Sequence, residues 1–308
     1  MDPEKNRELA DTAEIPALGK QASASAGTGR VRVDYAGVSD RGLVRPNNED
    51  HFLITRFGRF LTPLLTNVAS QSGTVFEEEG YALVVADGLG GEVAGEVASD
   101  LAIRTLLNLV VKTPDWIISH EGRDAERILD RMAERFRSID DVLVKAANKN
   151  VRLRGMGTTM TLACNVGDML ILVHIGDSRA YLFRAGTLHQ LTHDHTLAQA
   201  LVDKGALKRI EEASSQMRHT LVRLLGGTGG QSEADVERLS LLNDDILVLC
   251  TDGLTGMVND AAITAILAKG ASADETCRAL VDAALKNGGK DNVTAIVARY
   301  GFFARPTS

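Results

Sequence analysis

The chain is predicted to fold as an α+β layered protein, with sheets packed together and helices outside. Three observations point there. Strand-like apolar runs follow one another across tight-turn residues such as Val166-Gly167-Asp168 and Ala185-Gly186-Thr187, which favours antiparallel hairpins over crossovers. Helical segments come in consecutive pairs instead of after every strand. Periodic structure runs from near Val31 to about Phe303 with no linker and no internal repeat. Residues 30–303 are therefore expected to form a single domain. Residues 1–29, ending in QASASAGTG, read as a flexible N-terminal tail.

In chain order, strands are predicted at residues 31–38, 51–57, 81–86, 158–165, 169–175, 180–184, 236–241, 246–251 and 292–300. Helices are predicted at 92–111 and 123–150. In the first, Val97, Leu101, Arg104 and Asn108 trace one face while Ala98, Ala102, Leu106 and Leu109 line another. A second helical pair follows Asp260 and Ser272, both expected N-caps.

At 308 residues the chain can bury an ample core, and 44% hydrophobic with 24% charged residues is ordinary for a globular protein. A net charge of −7 argues against non-specific nucleic-acid binding. No apolar run approaches the ~18 residues a membrane span needs. The start, MDPEKNRELADTAE, is too charged for a signal peptide. Cys164, Cys250 and Cys277 are odd in number and lie in apolar elements. They read as buried thiols of a protein in a reducing cytoplasm. A monomer is expected.

Four aspartates sit at the ends of apolar runs. Asp87 closes YALVVAD, Asp177 closes MLILVHIGD, Asp252 closes DDILVLCTD, and Asp291 opens DNVTAIVARY. Carboxylates gathered at one sheet edge repel one another and lose water unless a cation offsets them. A hard-metal site with oxygen ligands is expected. The run Arg45-Pro-Asn-Asn-Glu49-Asp50 places a cation and two carboxylates at a strand mouth. It reads either as a salt-bridged surface turn or as part of the same site. In the second case Arg45 grips a phosphate bidentately, and Glu49 and Asp50 orient metal-bound waters. Ala86-Asp87-Gly88-Leu89-Gly90-Gly91-Glu92 likewise admits two readings. One is a plain βα turn that needs glycine; a dinucleotide fingerprint does not fit its spacing. In the other, Asp87 bridges two cations and the Gly88 carbonyl adds a ligand.

The ordered series RxxNED, VADGxGG, GTT, GDSR, LTxDH, TDG and DN, spread over residues 35–300, resembles the metal-dependent protein phosphatase family, the type 2C serine/threonine phosphatases. SDRGLVRPNNED and LGGEVAGEVAS bring it near the bacterial branch. The resemblance implies two packed antiparallel β-sheets flanked by helices, a four-layer α/β/β/α sandwich. It also implies two Mn²⁺ or Mg²⁺ ions, a third weaker site, and hydrolysis of phosphoserine and phosphothreonine in proteins. By that resemblance Asp87 bridges two ions, the Gly88 carbonyl joins one, Asp252 and Asp291 complete the other, and Asp177 with Asp252 makes the third site. Arg45 falls where substrate phosphate binds, while Thr158, Ser178 and Arg179 support the site. A serine/threonine kinase acting on the same targets is the implied counterpart.

Two departures stand out. Leu89 occupies a position where some relatives carry a histidine, and residues 58–80, with Phe60, Leu61, Leu64 and Leu65, are longer than the family's usual hairpin. Residues 206–230 form a flap in which Arg218 and His219 are candidates for substrate selection, although His219 also reads as a plain surface residue. His193 and His195 are expected to be structural, His195 at a helix start. Two other functions stay open at this stage: a non-catalytic phosphoprotein-binding regulatory domain of the same fold, and a small-phosphoester hydrolase.

Overall fold

Alternation along strands whose central members are buried on both faces builds the architecture. In the computed structural model the described residues are 30–61, 76–90, 93–112, 122–227 and 233–303. One sheet has the order β1-β12-β11-β7-β8, with β1 Arg30–Asp40, β7 Arg179–Arg184, β8 Thr187–Gln190, β11 Ile246–Cys250 and β12 Val293–Phe303. The other runs β10-β6-β5-β3-β4-β9, with β2 also paired to β3. Its strands are β2 Asp50–Leu61, β3 Phe76–Leu89, β4 Gly157–Thr158, β5 Met160–Val166, β6 Met169–Ile175, β9 Leu225–Gly226 and β10 Asp235–Ser240. Every pairing between these strands is antiparallel.

Period-two alternation sends neighbouring residues into different cores. Leu83 and Val85 of β3 meet Leu247 and Leu249 of β11 between the sheets. Val84 and Ala86 face the other way, onto Ala98, Ala102 and Leu106 of helix α1 (Ala94–Lys112) and Phe136 and Ile139 of helix α2 (Gly122–Lys149). Ile246, Val248 and Cys250 of β11 face Cys277, Leu280 and Ala284 of α7 (Ala273–Lys286). Three apolar layers between four layers of structure give the α/β/β/α sandwich. Because the central strands β5, β6 and β11 are buried on both faces, a one-residue slip would not expose them. Register comes instead from turns. Ala185 and Gly186 both take positive φ, 50° and 82°, the two-residue turn that joins β7 to β8.

The remaining helices are short: α3 Leu197–Asp203, α4 Ser215–Arg218, α5 Asp252–Thr255 and α6 Asp260–Leu267. Several element ends differ from expectation for local reasons. α7 begins with the expected Ser272 cap, closed by Glu275 into a reciprocal capping box. The cap of α6 is Asn259 and not Asp260, since its side chain accepts the Ala262 N–H. The predicted strand 158–165 is interrupted at Thr159, whose hydroxyl accepts the Asp87 N–H at 3.0 Å. The β2–β3 hairpin arms run on to Leu61 and back from Phe76. The tail 1–29, Leu64, Leu65, Gly91 and Glu92 lie outside the described residues, as do the side chains of Phe60 and Leu61.

Candidate metal centre

Asp50 opens β2 and stands directly opposite Asp87 of β3 in the antiparallel register. Like charges placed so are unfavourable, and the neighbourhood adds more of them. Asp50 is 5% exposed. Its Oδ2 accepts from Thr251 Oγ1 at 2.8 Å and Thr294 Oγ1 at 2.7 Å, while its buried Oδ1 has no partner. Burial first, opposed by those threonine bonds and reinforced by Asp252 and Asp291, lifts its carboxyl to about 7. Burial, followed by the charges of Asp50, Asp252, Asp177 and Asp291, holds Asp87 well above the usual carboxylate range. Asp177 is pushed to about 8, again by burial first and then Asp252 and Asp194.

The loops that deliver these groups are stitched together by backbone and amide contacts. Asn292 donates to Arg41 O and Asn47 O, both at 2.8 Å, and accepts the Glu49 N–H at 2.9 Å. It thereby fastens the Arg45–Asp50 loop to Asp291. Gly253 lies so close to the same segment that a Cβ would meet Asn292 O at 1.9 Å, which keeps Asp252 beside Asp291. Arg45 donates to Asp291 Oδ2 at 2.7 Å. That hydrogen bond is the main reason its guanidinium pKa is raised. Gly88 is required by space: a Cβ there would sit 2.0 Å from Gly95 O at the start of α1. The turn-glycine reading of Gly88 therefore gives way to close helix–strand approach. A Cβ at Gly95 would in turn strike the Glu49 carboxylate at 2.4 Å.

All the acidic residues singled out in the sequence, with Arg45 and Gly88, thus come to one end of the paired sheets. His219 joins them from the surface, its side chain exposed and its Nδ1 3.6 Å from Asp252 Oδ2. A 320 Å³ cavity beside it is lined by Asp177, Asp252, Arg218 and His219, among others. Leu89 is part-exposed at the end of β3. Thr251, Thr294 and Ser99 were not legible as site residues. Ser99 Oγ donates to Glu49 O at 2.6 Å, anchoring that loop to α1. Only their proximity to quoted motifs hinted at them. Arg179 grips Asp194 at 2.8 and 2.7 Å, and Ser178 bonds Thr159 at 2.8 Å, the supporting part expected of them.

Among the described residues, no three Asp, Glu, His or Cys side chains close into a complete cage. A hydrated hard cation does not need one: one or two carboxylates, a carbonyl and several waters suffice. The fit rests on the donor set, all oxygen, and on the orphaned Asp50 Oδ1 among carboxylates that resist ionising without a counter-charge.

The protein phosphatase 2C family model matches residues 70–287. This chain belongs to that family. It is 37% identical over 264 residues to the serine/threonine protein phosphatase PstP of Mycobacterium tuberculosis, covering 86% of this chain and 44% of that protein. The chain thus spans less than half the length of that relative. It is 31% identical over 261 residues to the serine/threonine phosphatase stp of Listeria welshimeri, covering 84% of this chain and 92% of the relative. Among solved structures, the PstP catalytic domain in complex with two manganese ions superposes with a TM-score of 0.67 at 33% identity, covering 88% of this chain and all of that one. The Streptococcus agalactiae enzyme, a serine/threonine phosphatase, gives 0.70 at 28%, covering 87% and 99%. These 2C-type structures share the two-sheet sandwich.

Proposed function

We propose that this chain hydrolyses phosphoserine and phosphothreonine in proteins, using Mn²⁺ or Mg²⁺ held at the acidic edge. The observation that supports it best is the meeting of Asp50, Asp87, Asp177, Asp252 and Asp291, where burial first and then the neighbouring carboxylates raise Asp87 well above its usual range. In this reading Asp87, the Gly88 carbonyl, Asp252 and Asp291 would hold two ions, and Asp177 with Asp252 would hold a third, weaker one. Bound divalent ions supply a hydroxide-like water near neutral pH and offset phosphate charge.

The chain's own residues do the rest. Arg45, half exposed and resting on Asp291, turns its fork to the substrate phosphate and holds it bidentately. Glu49, set against Gly95, and Asp50 Oδ1 accept hydrogen bonds from water and orient it. The threonine pair behind Asp50 keeps that carboxylate from rotating away. His219 and Arg218 face the substrate from the flap.

We further read residues 30–303 as one catalytic unit. It works as a monomer in signalling, opposite a serine/threonine kinase on the same targets. The buried, unpaired state of Cys164, Cys250 and Cys277 supports a cytoplasmic setting. Among the described residues, no helix is long and apolar enough to cross a membrane. Turnover of a phosphothreonine peptide and of p-nitrophenyl phosphate, each with Mn²⁺ and with chelator, tests the activity. Chelator-sensitive turnover of the peptide is expected. A phosphate ester cleaved only when small would favour a small-phosphoester hydrolase, and peptide binding without turnover would favour a regulatory domain.

A further inference from the structure

His195 is 4% exposed, and its backbone and ring are both engaged. Its N–H donates to Gly176 O at 2.7 Å, and the Gly176 N–H donates back to His195 Nδ1 at 3.0 Å. Gly176 precedes Asp177 and has φ +114°. A Cβ there would lie 2.4 Å from Thr159 Cβ, so the loop is pinned on that side too. The His195 carbonyl accepts the Val222 N–H at 2.9 Å, on the returning limb of the flap, and Leu197 N–H reaches Thr220 O at 2.8 Å. Thr196 bridges to Leu221 between them.

With Nδ1 accepting, the proton of the neutral ring sits on Nε2. Nε2 then donates to Asp235 Oδ2 at 2.9 Å, and Arg223 Nη1, at the flap root, packs against the same nitrogen at 2.7 Å. Arg223, next to Val222, donates to the other Asp235 oxygen at 2.7 Å and also bonds Glu233 O. One imidazole therefore touches the loop that carries Asp177, the root of the flap that carries Arg218 and His219, and the start of β10. A merely space-filling histidine would not need polar partners at both ring nitrogens.

We propose that His195 is a positioning residue that locks the Asp177 loop to the flap root, so that Asp177 and the flap face move together. The inference rests on Asp177 being a metal ligand, as read above. It predicts a split between two substitutions. His195→Asn keeps an oxygen where Nδ1 was and so keeps the Gly176 bond, but gives up Asp235. His195→Gln reaches Asp235 but leaves the Gly176 N–H without an acceptor.

The test is Mn²⁺ affinity by calorimetry, kcat and KM on a phosphothreonine peptide, and the unfolding midpoint, for the unaltered chain and both variants. His195→Gln should bind Mn²⁺ about tenfold more weakly, the usual cost of disturbing a ligand's support. His195→Asn should bind Mn²⁺ as the unaltered chain does and show its loss in KM. Equal Mn²⁺ affinity in all three proteins would overturn the proposal. So would equal losses that simply track the unfolding midpoint. Imidazole ¹⁵N shifts of the unaltered chain need no variant: the Nε2–H tautomer is expected, and Nδ1–H would sink the idea. If the unaltered chain binds no Mn²⁺, the functional reading fails instead. The coupling is then decided by hydrogen exchange, where His195→Gln should release the Gly176 and Val222 amides together and not one alone.

Discussion

Two sets of charged side chains in this sandwich solve the charge problem in opposite ways. In the first, charges are matched: Arg179 with Asp194, Arg184 with Asp245 at 2.8 and 2.5 Å, and Arg223 with Asp235, which also accepts from His195. Burial pushes Asp235 up, but bonds from His195 and Arg223 outweigh it and hold the carboxyl well below its usual range. At the acidic edge the opposite holds, and Asp50 and Asp177 rise to about 7 and 8. A balanced network stabilises the fold by itself. An unbalanced one is stable as an ionised set only with something added, which is what a binding site requires.

The sharpest way to break that contrast is to delete one carboxylate from each region. Asp87→Asn should lower kcat/KM by about three orders of magnitude, since bound cations supply several kcal/mol of transition-state stabilisation. Its stability in chelator should be unchanged or higher, because a repulsion is removed. Asp194→Ala should do the reverse to the metal-free protein. It strands a mostly buried Arg179 and should cost about 3 kcal/mol in denaturant unfolding. If both variants lose stability alike, the distinction fails.

Added Mn²⁺ should stabilise the unaltered chain by about 2.7 kcal/mol at a hundred times its Kd, and Asp87→Asn by much less. A thermal-shift titration reads this directly.

The balanced side has its own pH signature. His174 is 2% exposed, bonded to Thr161 Oγ1 at 2.9 Å and to His193 O at 3.2 Å. Burial first, then neighbouring His195, lowers its pKa to about 3. The unfolded chain takes up a proton near pH 6.5 that the folded chain refuses. Stability from this group is therefore full above pH 6.5 and declines as pH falls toward 3, by about 2 kcal/mol at pH 5. Asp50 and Asp177, raised to about 7 and 8, act in the opposite direction over this range, so the loss is read as a difference: between pH 7.5 and pH 5 the unaltered chain should fall by about 2 kcal/mol relative to His174→Gln. The smallest effect concerns Arg45. Arg45→Ala should cost roughly tenfold in kcat/KM, one charge-assisted contact with phosphate, and leave stability nearly untouched because the side chain is half exposed.

Much of this contrast was legible in the residues. The aspartates at the ends of apolar runs marked the acidic edge because buried strands must bring their ends together, and the hairpin turns fixed the antiparallel class. The split of strand 158–165 was not legible, since it depends on the Thr159 hydroxyl meeting Asp87 across the sheet. Thr251 and Thr294 escaped notice for the same reason: threonine in a strand is ordinary until an aspartate some two hundred residues away accepts its hydrogen bond. His219 is a surface residue, and its nearness to Asp252 was not legible because the two are far apart in the chain. His195 was expected to be structural at a helix start, and it does immediately precede Thr196, the N-cap of α3.

By itself the amino-acid order determined the alternation that makes three apolar layers, the turns that make the sheets antiparallel, and which acidic residues are candidate ligands. Those are local properties, set by residue type and spacing. Tertiary structure alone decided which carboxylates face a counter-charge and which face one another, because charge balance inside a protein depends on neighbours far apart in the chain. That is why five aspartates became a candidate cation site, while Asp194, Asp235 and Asp245, no different in chemistry, became part of the frame.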